Sequence, residues 1–184
     1  MRPVCYSVAM SLDGLIAGPN GEADWIVMDP EIDFGKLFAR FDTLLMGRKS
    51  WAAARAQGGG GGMPGMKSYV FSRTLRPSDC KGATLSSDPA TTVRELKQQD
   101  GKAIWLFGGG SLFKSLLDLG LVDQVQVGLV PVVLGNGLSF VEHPAQQARL
   151  KLLEHRVYSK TGTVLLDYEV LGPAETKGSK RKRR

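Results

Sequence analysis

Two stretches of this chain end an apolar run in glycine and start a helical pattern with no spacer. They are "IWLFGGGSLFKSLL", residues 104–117, and "LLMGRKSW", residues 44–51. A strand that feeds a helix through glycine aims several backbone N–H groups at one point, and the helix dipole adds partial positive charge there. Such a junction suits an anion, a phosphate above all. Gly108, Gly109 and Gly110 carry no side chain that would hold a pyrophosphate off, and Ser111 adds a hydroxyl donor. The pattern is not a P-loop, because no Gly-Lys-Ser/Thr follows, and it lacks the third glycine of GxGxxG. The rival reading is a tight structural turn.

The second junction places Arg48 and Lys49 just after Gly47, in the first turn of a helix, with Ser50 beside them. Cations there oppose the helix dipole, so an anion bound nearby would offset a local cost. A third apolar run, "VFSRT" at 70–74, ends in Ser72 and Arg73. In an open α/β sheet ligands gather beyond the C-terminal ends of the strands, and two such junctions could hold the two ends of one dinucleotide. Against this stands the possibility of three unrelated turns with solvated arginines.

The elements that must position these groups follow from hydrophobic period and turn residues. Strands are expected at 4–10, 43–47, 68–72, 103–107 and 122–134, and as two long C-terminal strands at 149–159 and 163–171 joined by "KTG". Helices are expected at 30–41, 48–56, 88–101 and 111–119. Strands alternating with helices imply a largely parallel sheet with helices on both faces, and the closing hairpin adds an antiparallel edge. The fold class is therefore α/β, three layers αβα around a mixed, mostly parallel sheet. "SLDGLIAGPNGEADW" (11–25) reads as a long loop, and "GGGGGMPG" (58–65) cannot hold regular structure. No internal repeat or domain boundary is visible, so residues 1–172 form one domain followed by a basic tail, 173–184.

Composition bounds the rest. The chain has 184 residues, enough for one hydrophobic core, with ordinary hydrophobic and charged fractions of 42% and 23%. No apolar stretch approaches the roughly 18 residues that span a bilayer, and the N-terminus has no secretory pattern, which points to a cytoplasmic protein with no membrane partner. Cys5 and Cys80 make no disulfide framework, and His143 and His155 lack neighbours at ligand spacing, so no metal site is expected. The formal charge of +6 lies in the tail "KGSKRKRR"; without its six cations the chain is neutral. Nucleic acid is thus not expected as a partner, and the tail is read as a solvated, disordered end.

The motifs "SVAMSLDGLIAG", "LLMGRKSW", "VFSR", "IWLFGGGSLFKSLL" and "VPVVLGNGLSF" stand in this order over residues 4–170. In that order the chain resembles the dihydrofolate-reductase-like superfamily, and within it the C-terminal reductase domain of the bifunctional riboflavin-biosynthesis deaminase–reductase. The resemblance implies NADPH as cofactor and a homodimer. It places Ala9 and Ile16 beside the nicotinamide and Gly47, Arg48, Lys49 and Ser50 beside the adenosine-side phosphates. Ser72 and Arg73 would meet the ribose 2′-phosphate, and Gly108, Gly109, Gly110, Ser111 and Leu112 the pyrophosphate. Clustered Arg and Lys near a ribose favour the extra phosphate, whereas an acidic residue would favour NADH.

On the substrate side, folate reductases place one carboxylate in the first helix. Asp29, Glu31 and Asp33 surround that helix start here; Glu31 and Asp33 are the candidates, and the choice between them stays open. Acidic residues in a first helical turn are also good dipole partners with no catalytic duty. Asp13 reads as a turn residue, and Trp25 as either a site residue or a core anchor. The resemblance implies reduction of a small heterocyclic or ribosyl substrate, as in 5-amino-6-(5-phosphoribosylamino)uracil reduction. The alternatives are dihydrofolate reduction and a non-catalytic nucleotide-binding regulatory domain. The zinc deaminase domain of the bifunctional enzyme has no counterpart in this sequence.

Overall fold

The computed structural model describes residues 1–56, 61–143 and 147–173. The start of the pentaglycine run and the basic tail beyond Pro173 therefore lie outside the described residues.

The first strand, β1 (Val4–Ser11), is rich in β-branched and aromatic residues and alternates in which face it serves. After a loop come β2 (Leu15–Ala17), α1 (Phe34–Phe38), β3 (Phe41–Gly47), α2 (Arg48–Ala56) and β4 (Lys67–Phe71). A 3-10 turn (Pro77–Cys80) leads to β5 (Ala83–Ser86), α3 (Pro89–Gln98), β6 (Ala103–Gly108) and α4 (Gly110–Asp118). β7 (Gln124–Val130), β8 (Leu138–Ser139), β9 (Ala148–Tyr158) and β10 (Thr163–Pro173) complete the chain. Eight strands form one sheet in the order β5-β4-β3-β6-β1-β7-β10-β9, and β2 pairs with β8 in a separate ribbon. β10 runs antiparallel to both β7 and β9, while the pairs from β5 to β7 are parallel. The expected mixed α/β architecture with its closing hairpin is what the chain adopts.

Two apolar layers hold the sheet. On one face Val4, Tyr6, Leu45, Ile104, Leu106, Val125 and Val127 pack with Val93 and Leu96 of α3 and Phe113 and Leu116 of α4. The other face buries Cys5, Leu44, Met46, Val70 and Trp105 with Trp51 of α2. Each such side chain, fully buried, contributes about 1.5–3 kcal/mol of transfer free energy. Arg2 bonds to both Asp42 and Thr43, which ties the N-terminus to the start of β3.

Three local differences from expectation have physical causes. The helix expected at 30–41 is only five residues long. Asp29 accepts the Glu31 N–H at 2.9 Å and holds residues 29–32 in a turn, so the helix starts only at the Asp33 cap, and β3 begins at Phe41. The strand expected over 122–134 stops at Val130, because Pro131 has no N–H for the ladder. The β2–β8 ribbon and the four-residue edge strand β5 are too short to carry a period, so the sequence pattern does not show them.

Candidate active site

A cleft of about 1490 Å³ lies over the C-terminal ends of the parallel strands. All thirteen residues expected to hold a cofactor line it: Ala9, Ile16, Gly47, Arg48, Lys49, Ser50, Ser72, Arg73, Gly108, Gly109, Gly110, Ser111 and Leu112. The sheet makes one site of the two glycine junctions. β3 and β6 are neighbours, with Met46 paired to Gly108, so α2 and α4 begin side by side. A Cβ placed on Gly47 would stand 3.8 Å from both the Gly108 carbonyl oxygen and the Gly109 nitrogen. One placed on Gly108 or Gly109 would stand 3.6 or 3.7 Å from the Ser50 hydroxyl.

The α4 N-terminus supplies donors. Phe113 N–H closes the first turn on the Gly109 carbonyl at 3.1 Å, which leaves the N–H groups of Gly110, Ser111 and Leu112 without an intrahelical acceptor. Leu112 keeps its side chain in the core, so it offers the cleft its backbone. Gly108 has φ 143°, a conformation that a side chain would strain. Gly110 is required for another reason: a Cβ there would come within 2.5 Å of the Ser139 carbonyl oxygen.

Arg48, Lys49 and Arg73 are exposed, and none has an ion-pair partner among the described residues. Three unneutralised cations thus border one end of the cleft. Ser72 shapes this end as well, because its hydroxyl accepts the N–H groups of Thr74 and Leu75, each at 3.1 Å. A glycine cradle, two adjacent helix N-termini and three cations form a donor set that fits a dinucleotide phosphate chain.

The carboxylates divide. Asp33 lines the cleft, and its Oδ1 accepts the Lys36 N–H at 2.8 Å as the cap of α1. Glu31 is not among the lining residues; its carboxylate lies 3.5 Å from Lys160 Nζ, toward the β9–β10 turn. Asp29 is buried and accepts from Thr161 Oγ1 at 2.9 Å. Burial opposes its ionisation, yet the bonds from Glu31 and Thr161 hold its carboxyl below the ordinary value. Asp13 is a clasp, accepting from Ser11 Oγ at 2.6 Å and from the N–H groups of Gly135 and Leu134 at 2.7 and 3.1 Å. The Ser11 hydroxyl first, then these two amides, draw its carboxyl down to about 2. Trp25 donates to the Glu22 carbonyl at 3.2 Å and is not among the lining residues.

The cleft also holds residues that no local motif marks. Phe38, Trp105 and Phe107 form an aromatic floor, with Phe38 stacked on Trp105 and Phe107 edge-on to it. Beside it, Ser7, Gln126 and Asp167 form a polar row across β1, β7 and β10. Their signal in the sequence was faint: Gln126 and Asp167 are polar residues inside strands otherwise dominated by apolar ones.

The RibD C-terminal domain family model matches residues 2–164, and the chain belongs to that family of reductase domains. A curated relative, the uncharacterized protein YyaP of Bacillus subtilis (strain 168), is 35% identical over 187 residues, which cover 91% of this chain and 94% of that one. Among solved structures, a protein described as a riboflavin biosynthesis protein from Shewanella sp. PV-4 superposes with a TM-score of 0.77 at 21% identity. That match covers 92% of this chain and 99% of the other. Dihydrofolate reductase from Enterococcus faecalis, solved with NADP(H), gives a TM-score of 0.69 at 12% identity over 92% of this chain and 96% of that one. These two likenesses establish the dihydrofolate-reductase-like fold.

Proposed function

We propose that this protein is an NADPH-dependent reductase of the riboflavin-pathway type, acting on a small heterocyclic or ribosyl substrate such as a 5-amino-6-(5-phosphoribosylamino)uracil. The observation that carries the reading is the merger of two glycine junctions into one cradle bordered by Arg48, Lys49 and Arg73. The α4 amides of Gly110, Ser111 and Leu112 would hold the pyrophosphate. Arg48, Lys49 and Arg73 would meet the phosphates at the adenosine end, the ribose 2′-phosphate included.

Bound NADPH supplies a hydride from C4 of its nicotinamide, so the protein's task is geometry and a proton. Ala9 and Ile16 would flank the ring, in a strand and ribbon that the Asp13 clasp holds in place. Phe107, 38% exposed on the cleft floor, gives a planar substrate an apolar surface and excludes water beneath it. A C=N or C=O substrate also needs a proton; Asp33, the candidate carboxyl group that reaches the cleft, would hold or relay it. Residues 1–172 act as one domain in this reading, in the cytoplasm. The exposed Leu150, Leu152 and Val157 of edge strand β9 would be covered in a homodimer.

The test is titration of the purified protein with NADPH and, separately, NADH, followed by tryptophan fluorescence, since Trp105 lines the cleft. Tight NADPH binding with weak NADH binding is expected. Failure of both to bind would overturn the reading.

A further inference from the structure

Four residues line up across the floor of the cleft because of strand order. Ala9 of β1 is the register partner of Gly128 on β7, Gly128 that of Leu165 on β10, and Leu165 that of Arg156 on β9. All four line the cleft. Neighbouring strands lie about 4.8 Å apart, so Arg156 stands about 14 Å along this row from Ala9, the residue expected beside the nicotinamide.

Gly128 is the gap in the row. The fold makes no demand for glycine there. Its φ lies outside the left-handed region, and an added Cβ would meet nothing nearer than the Ala9 Cα and the Val8 carbonyl oxygen, both at 4.0 Å. Those are ordinary contacts, unlike the backbone clash that a Cβ on Gly110 would make. Glycine inside a strand weakens it, and where packing does not require it, it marks the close approach of another group. The middle of the row is therefore a trough, bare at Gly128 and apolar at Leu165.

The far end carries donors. The Arg156 guanidinium lies 4.8 Å over the Tyr158 ring centroid, a cation–π contact that holds it beside the ring. Arg156 is exposed and has no ion-pair partner among the described residues, although Glu154 stands two residues away on the same face. Tyr158 also lines the cleft and is only 4% exposed. Its hydroxyl makes no hydrogen bond among the described residues, yet it is not sealed from solvent. A guanidinium fork and a phenol O–H around one ring suit an anionic oxygen, that of a carboxylate or a phosphate.

We infer that the cleft takes a flat, elongated anion along the row Ala9–Gly128–Leu165–Arg156, with its anionic oxygen held by Arg156 and Tyr158. Gly128 sets the thickness admitted, because the body of the ligand crosses β7 at the level of the backbone. As a statement about substrate, this assignment rests on the reductase reading: the reacting carbon lies over Ala9 and the charged end three strands away. As a statement about a trough and an anion subsite, it is tested apart from that reading.

The probes are biphenyl-4-carboxylate, a flat rod with one anionic end, and biphenyl-4-carboxamide, its neutral counterpart. Each is titrated into the full-length protein while the Gly128 amide and Arg156 Nε–H resonances are followed by NMR. The carboxylate should bind the wild type roughly tenfold or more tighter than the carboxamide, the usual worth of hydrogen bonds between charged groups. Arg156→Gln should abolish that preference, and Tyr158→Phe should reduce it roughly threefold. Arg48→Ala combined with Arg73→Ala should leave it intact, which separates this subsite from the cations of the cofactor end. Gly128→Val should melt at or above the wild-type temperature and bind both probes roughly tenfold more weakly. Gly128→Ala, a smaller addition, serves if the valine variant fails to fold. Equal binding of the two probes to wild type, a preference that survives Arg156→Gln or vanishes in the Arg48/Arg73 variant, or undiminished binding to a folded Gly128 variant overturns the assignment. Should NADPH fail to bind while these results hold, the reductase reading falls and the trough stands; should NADPH bind and these results fail, only the trough falls.

Discussion

The Asp13 carboxylate accepts the Gly135 N–H at 2.7 Å, and this one side chain joins the loop after β1 to the turn after β7. Both segments border the cleft, since Ile16 follows one and Leu138 the other. A short exposed aspartate thereby sets the entrance.

The carboxyl of Asp13 is lowered to about 2, against about 3.9 in an unfolded chain. A depressed value means that the clasp favours the fold above the unfolded value and loses this contribution as pH falls from about 4 through 2. The Leu134 and Gly135 amide resonances should therefore stay constant from pH 7 to about 4.5 and move with a midpoint near 2. Asp13→Ala should shift them at every pH and raise their hydrogen-exchange rates.

Arg48→Ala combined with Arg73→Ala should weaken NADPH by roughly 100-fold and NADH by less than tenfold, because charge-assisted bonds to the 2′-phosphate are lost only with the former. Fluorescence titrations of both cofactors against wild type and the double variant check this. Equal losses would remove the 2′-phosphate assignment.

Gly109→Val and Gly110→Ala should separate function from fold. Gly109 has φ −91° with only an ordinary contact to Ser50 awaiting a Cβ, so the variant should melt near the wild-type temperature yet fail to bind cofactor. Gly110 has backbone carbonyls in the way, and even alanine should lower the melting temperature. Thermal unfolding with and without NADPH distinguishes the two.

Leu116→Ala removes a fully buried side chain between α4 and the sheet. It should cost about 2–5 kcal/mol in denaturant unfolding while cofactor affinity, corrected for the folded fraction, stays within about twofold.

How much was legible in the sequence differs by element. α2 runs over residues 48–56 as expected, and the two glycine junctions of the cleft could be read because each is a local strand–glycine–helix pattern. The polar row could not. Residues 7, 126 and 167 are brought together only by the order β1-β7-β10, which no local period encodes. Glu31 and Asp33 were inseparable for a subtler reason. Two residues apart, they are placed differently only because Asp29 holds a turn and delays the helix until Asp33 caps it.

The alternation of the central strands has a last consequence. On β1, Val4, Tyr6 and Val8 belong to the helix-covered core, while Ser7 and Ala9 face the cleft. Val125 and Val127 stand against Gln126 and Gly128 on β7 in the same way, and Tyr168 against Asp167 on β10. Side chains that pack under α3 and α4 and side chains such as Ser7, Gln126 and Asp167 that face only the cleft thus occupy opposite parities of the same strands. On β6 the two duties meet in one side chain, since Trp105 lines the cleft and also packs in the second apolar layer.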